Sequence, residues 1–246
     1  MARRNFLVAL KGQSNERGRG LKHALAVDGD AARDAYGIGQ FDPILPNGDS
    51  QGAAGYRSWW PQLAERLARE RKILMYVENT AVGGTSIHTQ WCGSPLPADL
   101  NTDPTDPNGY MGVVDTRLSA WSNGFDEKWM FISFGQSDAV IPTSLANYRD
   151  SHICAANYCL NRGYKVAIGL SCRSNSGATW YGTTGKPAIQ AALAHFAGNP
   201  NVIAGADLYT ALGTSFDKTY DGSHLYSKFY DEAANAWFEA LVAGGW

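Results

Sequence analysis

Apolar and polar positions fall in alternating blocks along this chain, and five of the apolar blocks predict strands. Phe6-Leu7-Val8-Ala9-Leu10 is uncharged and too short for a helix, so it reads as a buried strand. Ile73-Leu74-Met75-Tyr76-Val77, Trp129-Met130-Phe131-Ile132-Ser133-Phe134 and Lys165-Val166-Ala167-Ile168-Gly169-Leu170 predict three more, and Val202-Ile203-Ala204-Gly205-Ala206 a weaker fifth. Between them the period changes to that of helices. Trp59-Trp60-Pro61 opens one, with Leu63, Ala64 and Leu67 inward and Arg66, Arg69, Glu70 and Arg71 as solvated charge at its end. Val113 to Trp121 predicts a short helix. Thr143 to Asn161 predicts a long one, with Leu145, Tyr148, His152, Ala155 and Cys159 at helical spacing and Gly163 after it. Lys186 to Phe196 precedes Gly198. Leu225 to Val242 carries an inner stripe of Ala233, Ala234, Trp237 and Leu241.

Strands that alternate with helices predict an α/β fold, a parallel sheet covered on both faces by helices. Right-handed crossovers put all the strand carboxyl ends on one rim, where ligands bind in such sheets. Three polar turns then share that rim: Gly12-Gln13-Ser14-Asn15, the Gly83-Gly84 turn and Gly135-Gln136-Ser137-Asp138. Turn signals crowd the region from Glu16 to Gly55, and loops of that length in a compact domain tend to carry function. No linker divides residues 1–246, so one domain is expected.

Composition narrows the class. The 246 residues are 44% hydrophobic and 18% charged with net charge -2, ordinary globular values with no basic arm for nucleic acid or an anionic membrane. No stretch has the length of a membrane-spanning helix. Met1 to Asn5 leads straight into the first strand, so no signal peptide is expected. A cytoplasmic or phage-particle setting follows, unless a leader has been removed. Cys92, Cys154, Cys159 and Cys172 form no Cys-x-x-Cys motif and read as small packing side chains, with a disulfide as the minority reading. Asp99, Asp103 and Asp106 lack calcium-loop spacing and no His-Glu-x-x-His occurs, so no metal is expected.

The chemistry lies in Asp221-Gly222-Ser223-His224, before the last helix. A serine hydroxyl needs a base to take its proton, and the base needs an acid to hold its tautomer and stabilise its charge. Asp221 can turn back to Nδ1 of His224, leaving Nε2 for Ser14. The blander alternative makes Asp221 a helix cap and His224 a surface or packing residue. His23 and His88 have no acid at comparable spacing, and His152 and His195 fall inside helix patterns, where packing explains them. Acyl transfer also needs donors for the developing oxyanion. The amides of Ser14 and Gly83 and the side chain of Gln136 supply three, with Ser137 the rival to Gln136.

Four stretches in order resemble the sequence blocks of the SGNH (GDSL-like) hydrolase superfamily: Gly12 to Asn15, Asn79 to Ser86, Gly135 to Asp138 and Asp221 to His224. Gly-Gln-Ser-Asn and Gly83-Gly84-Thr85-Ser86-Ile87 are most similar to the carbohydrate O-acetylesterase branch, with its sialate O-acetylesterase-like and acetylxylan esterase-like proteins. The chain departs at Glu16, where that branch usually has methionine, and at Gln136, where it usually has glutamate. The resemblance implies a three-layer α/β/α sandwich with a mostly parallel, about five-stranded, flavodoxin-like sheet and no cofactor. It also implies a Ser14, Asp221, His224 triad and an oxyanion hole from Ser14, Gly83 and Gln136. The expected partner is an acetylated carbohydrate, such as a bacterial surface polysaccharide deacetylated by a phage-borne enzyme. Two alternatives stand beside it, a catalytically silent glycan-binding module of the same fold and an esterase or thioesterase for short acyl groups. Rim aromatics proposed to stack on sugar rings are Trp59, Trp60, Trp91, Tyr110, Trp180, Tyr181, Tyr209 and Tyr220. The α/β-hydrolases share the order Ser, Asp, His but place the serine in Gly-x-Ser-x-Gly. Glu16 and the first-strand position of Ser14 exclude that reading.

Overall fold

The computed structural model describes residues 4–12, 20–21, 40–41, 56–57, 59–79, 81, 85–92, 124–173, 179–213, 218–219, 225 and 229–246. The five predicted strands are all present: β1 (Arg4–Gly12), β5 (Ile73–Asn79), β6 (Glu127–Phe134), β7 (Lys165–Leu170) and β8 (Val202–Asp207). Three two-residue strands add to them, β2 (Gly20–Leu21), β3 (Gln40–Phe41) and β4 (Tyr56–Arg57). The main sheet runs β3-β5-β1-β6-β7-β8 and every pairing in it is parallel. Without the short edge β3 this is the flavodoxin-like order, with the first strand second from the edge. β2 and β4 form a separate antiparallel pair inside the stretch read as loop.

The apolar run of β1 has a simple cause. Phe6, Val8 and Leu10 face one core, Leu7 and Ala9 the other, and none is more than 1% exposed. A strand covered on both faces cannot alternate with polar residues. The first core is closed by α1 (Trp60–Arg71) and α6 (Tyr230–Ala243), the second by α3 (Leu145–Leu160) and α4 (Lys186–His195). The short helices α2 (Gln136–Val140) and α5 (Leu208–Ala211) follow β6 and β8 directly. Three layers result, α/β/α.

The first core is built on aromatic stacking. The indole of Trp237 lies between the rings of Trp59 and Phe131, at 5.1 and 4.9 Å and nearly parallel to both. Arg66 ties α1 to α6 through Asn235 and Glu239 and covers the Phe238 ring at 3.7 Å. Such offset ring contacts add to burial itself.

Three expectations are corrected. The long helix starts at Leu145, capped by the Ser144 hydroxyl, and Leu145 is 38% exposed rather than inward, like the rest of the first turn through Asn147. The last helix starts at Tyr230, and Leu225 instead bridges Thr219 in antiparallel fashion. Trp59, Trp60, Trp91, Trp180 and Tyr181 are buried core residues, not rim platforms. The cysteines pack as expected, with Cys92, Cys159 and Cys172 buried, Cys154 half-buried and no disulfide among them. The helix expected at 113–121 lies outside the described residues, as do Tyr110 and Tyr220.

Candidate active site

The direction of the chain reverses between β1 and β6. From β1 it passes outward to β5 and then returns to β6 on the other side. At such a switch point the two crossovers diverge and leave a crevice past the strand carboxyl ends. The register fixes which residues border it. Gly12, the last residue of β1, pairs with Ser133 of β6, and Leu10 pairs with Asn79, the last residue of β5. Three adjacent strands therefore end on one edge of the sheet, β1 level with Ser133 and β5 level with Phe131, three residues before the end of β6.

Of the expected site residues, Gln136 is described. Ser14, Gly83, Asp221 and His224 lie outside the described residues. What brackets them is described. Ser14 follows Gly12 by two positions. Gly83 falls between buried Ala81 and buried Thr85. Asp221 and His224 fall between the bridge partners Thr219 and Leu225, so the ends of the five-residue stretch 220–224 are held together. Leu225 is buried in the same core as Leu10 and Cys172.

Gln136 opens α2 just past β6. Gly135 before it takes φ +147°, a backbone that turns the chain sharply off the strand and that L side chains rarely adopt. Gln136 is 5% exposed, and its Nε2 donates to Cys172 Sγ at 3.4 Å. Cys172 lies two residues past the end of β7, so this contact joins two strand exits. Ser137, the rival donor, is half-buried.

Asp138, two residues on, has no exposed surface. Its Oδ1 accepts from Ser86 Oγ at 2.5 Å and its Oδ2 from the Ile87 amide at 3.3 Å. The His88 amide reaches Oδ1 at 3.4 Å and Thr143 Oγ1 stands 3.5 Å away. Burial pushes the Asp138 carboxyl up to about 6, and these hydrogen bonds oppose that rise in part. Ser86 in turn caps the π-helical turn Ile87–Trp91, its Oγ accepting from the His88 and Thr89 amides at 3.1 and 3.0 Å. Single π turns of this kind are frequent at functional sites.

The other histidines separate. His88 is half-buried, with Nδ1 3.1 Å from Ser151 Oγ. His152 is wholly buried in α3, Nδ1 donating to the Tyr148 carbonyl at 2.8 Å, and burial lowers its pKa to about 4. His195 is exposed at the end of α4, and His23 lies outside the described residues. Among the described residues no group of three His, Cys, Asp or Glu side chains is placed to hold a metal ion.

Sequence reasoning quoted Ser86 and Asp138 but gave neither a role, and it took Cys172 for packing alone. The available signal was a serine placed to cap the turn that follows the glycine pair. Its partner, 52 residues on, had no local signal.

No family model matches this chain, and no curated protein matches it in sequence. Solved structures do match over nearly its whole length. A member of the lipolytic G-D-S-L family from Veillonella parvula is 13% identical, covers 96% of this chain and 98% of its own, and has a TM-score of 0.56. A family 3 carbohydrate esterase from Clostridium thermocellum is 12% identical over 97% and 96%, TM-score 0.55. A variant of an acetyl xylan esterase from Geobacillus stearothermophilus is 13% identical over 98% and 95%, TM-score 0.53. The fold is that of the SGNH, or GDSL-like, hydrolases.

Proposed function

We propose that this protein is a serine esterase of the SGNH type that removes O-acetyl groups from a carbohydrate. The observation that carries the reading is the order β5-β1-β6, which sets three parallel strand exits side by side at the switch point where such sheets bind ligands. A two-residue step spans at most about 7 Å, and Ser14 follows Gly12 by that step. Gln136 borders the same crevice from the far side. The fold is shared with an acetyl xylan esterase and a family 3 carbohydrate esterase, which favours acetylated sugars over long acyl chains.

In this reading Ser14 Oγ attacks the acetyl carbonyl while His224 Nε2 takes its proton. Asp221 holds Nδ1–H and the imidazolium that forms. The oxyanion receives hydrogen bonds from the amides of Ser14 and Gly83 and from the Gln136 side chain. Collapse expels the sugar oxygen, which His224 protonates, and leaves acetyl-Ser14. Water, deprotonated by His224, then releases acetate and restores the serine. No cofactor is needed at any step.

The test is acetate release from a panel of acetylated glycans and a small acetyl ester. Ser14→Ala and His224→Ala should each lower kcat by about 10³-fold or more. Undiminished hydrolysis in both variants sinks the triad. One observation favours a second reading, a glycan-binding module without catalysis: the Gln136 amide is engaged by Cys172. Glycan binding with no acetate released from any substrate would select it.

A further inference from the structure

We infer that Asp138 is a positioning residue: its buried carboxylate locks α2, and Gln136 with it, onto the Ser86-capped turn Ile87–Trp91. The inference rests on the esterase reading above, in which Gln136 is an oxyanion donor, and it assigns a role to a side chain that does not itself meet substrate.

A helix of five residues has almost no stability of its own, because nucleation fixes several residues for one hydrogen bond. Backbone bonds tie α2 to the residues that flank it, Ala139 N to Gly135 O at 2.8 Å and Ile141 N to Ser137 O at 2.9 Å. Gly135 before it turns off the strand with a positive φ, and Val140 and Ile141 at its end are 56% and 54% exposed. Apolar packing holds α2 at Ala139, in the second core, and not at its exposed last turn. From within α2 Asp138 reaches across to another strand exit and accepts from the Ser86 hydroxyl and the Ile87 and His88 amides, while the Thr143 hydroxyl, 3.5 Å away, lies nearer the Ile141 carbonyl at 3.1 Å.

The hydroxyl proton of Ser86 has one destination. Ser86 Oγ already accepts from the amides of His88 and Thr89, so its O–H is free to point at Asp138 Oδ1. The Asp138 main chain adds a further tie, its carbonyl accepting from Thr143 N at 3.0 Å. Gln136 stands half a helical turn before Asp138 on the same helix, so what fixes Asp138 also fixes where the Gln136 amide is presented. Transition-state donors are effective only when preorganised, and a displacement of about 1 Å costs up to about 10²-fold in rate.

The experiment is a double-mutant cycle on a small acetyl ester such as p-nitrophenyl acetate, reading kcat and KM separately. Asp138→Asn keeps the size of the side chain but replaces one acceptor oxygen by a donor, which opposes the Ile87 amide in the place of Oδ2 or the His88 amide in the place of Oδ1. It should lower kcat on the order of tenfold with KM changed less than about twofold. Ser86→Ala, which removes one oxygen and no volume, should reproduce the direction with a smaller fall. In a Gln136→Ala background Asp138→Asn should add less than about twofold, because the group it positions is gone. Full kcat in a folded Asp138→Asn enzyme, beside a crippled Gln136→Ala enzyme, overturns the inference alone. An Asp138→Asn fall that is equally large without Gln136 also overturns it. Full activity of Gln136→Ala overturns the donor assignment in the esterase reading, and the inference with it. Should Asp138→Asn fail to fold, an unchanged kcat in Ser86→Ala overturns the inference and a lowered kcat that vanishes in the Gln136→Ala background supports it.

Discussion

The side-chain amide of Gln136 donates to the thiol sulfur of Cys172 at 3.4 Å, joining the exit of β6 to the exit of β7. Sulfur is a weak acceptor, yet its contact helps to orient an amide carried on a flexible stem. If that amide serves the oxyanion, removing the sulfur loosens it. Cys172→Ala should lower kcat on acetyl esters by about threefold to tenfold, the equivalent of one ordinary hydrogen bond, with little change in KM. Cys172→Ser keeps an acceptor and should retain most of the rate. Steady-state kinetics of the two variants decide it; equal rates for both and for wild type would show that the thiol does not steer the amide.

Gly135 cannot be replaced without strain. Its φ of +147° disfavours any L side chain, and an added Cβ would lie 3.3 Å from both Leu170 Cδ1 and Tyr181 Cε1. Both neighbours are fully buried, so neither can swing away. Gly135→Ala should destabilise the fold by about 1–3 kcal/mol. A lower urea midpoint at unchanged slope is the expected result.

The parts of this fold legible in the sequence are those where one periodicity dominates. Phe6 to Leu10 is apolar at every position because both faces of β1 are covered, and each of the other long strands carries the same kind of run. Leu225 shows where periodicity misleads. It lies at spacing of four before Phe229, Ala233, Trp237 and Leu241, in phase with the stripe, yet the chain there makes a bridge with Thr219. The hydrophobic pattern records that Leu225 is buried, not what backbone buries it. Trp59, Trp91 and Trp180 mislead in the opposite sense, since an aromatic beside a polar loop has the same local sequence whether it stacks on a sugar or on Trp237. At the rim, the block pattern made Gln136 visible. Asp138 and Ser86 needed the tertiary structure, because only the parallel order β5-β1-β6 brings residues 52 positions apart into contact.

Trp237 depends on small residues beneath it. A Cβ on Gly205 would stand 2.7 Å from Cη2 and Cζ3 of the indole and 3.0 Å from the Gly169 amide nitrogen. The indole cannot retreat, because Trp59 and Phe131 stack against its two faces. Gly205→Ala should therefore cost about 1–3 kcal/mol despite improving strand propensity. Gly163, with φ +76° and open space around its Cα, should lose only the backbone strain on the same change. Thermal melts of the two variants side by side should rank Gly205→Ala lower; the reverse order would show that the Trp237 stack yields to the added methyl.

Two buried groups give stability a dependence on pH with opposite signs. His152 is held neutral by burial, its pKa lowered from about 6.5 to about 4. The unfolded chain therefore binds more protons than the native one between those values. Its contribution is present above about 6.5 and is lost as pH falls through about 4. Asp138 is raised from 3.8 to about 6, so here the native chain binds more protons, and stability is present below 3.8 and lost as pH rises through about 6. Between pH 4 and 6 the two slopes oppose each other. Replacing His152 with leucine leaves the Asp138 slope alone. The variant loses the bond to the Tyr148 carbonyl and starts less stable at pH 7. On acidification to pH 4.5, however, it should gain on wild type by on the order of 2 kcal/mol. Urea unfolding of both proteins at the two pH values measures this difference directly. A gap that stays constant would mean that His152 has the same proton affinity folded and unfolded. In Asp138→Asn the trend should reverse: the variant should gain on wild type as pH rises from 4 to 6.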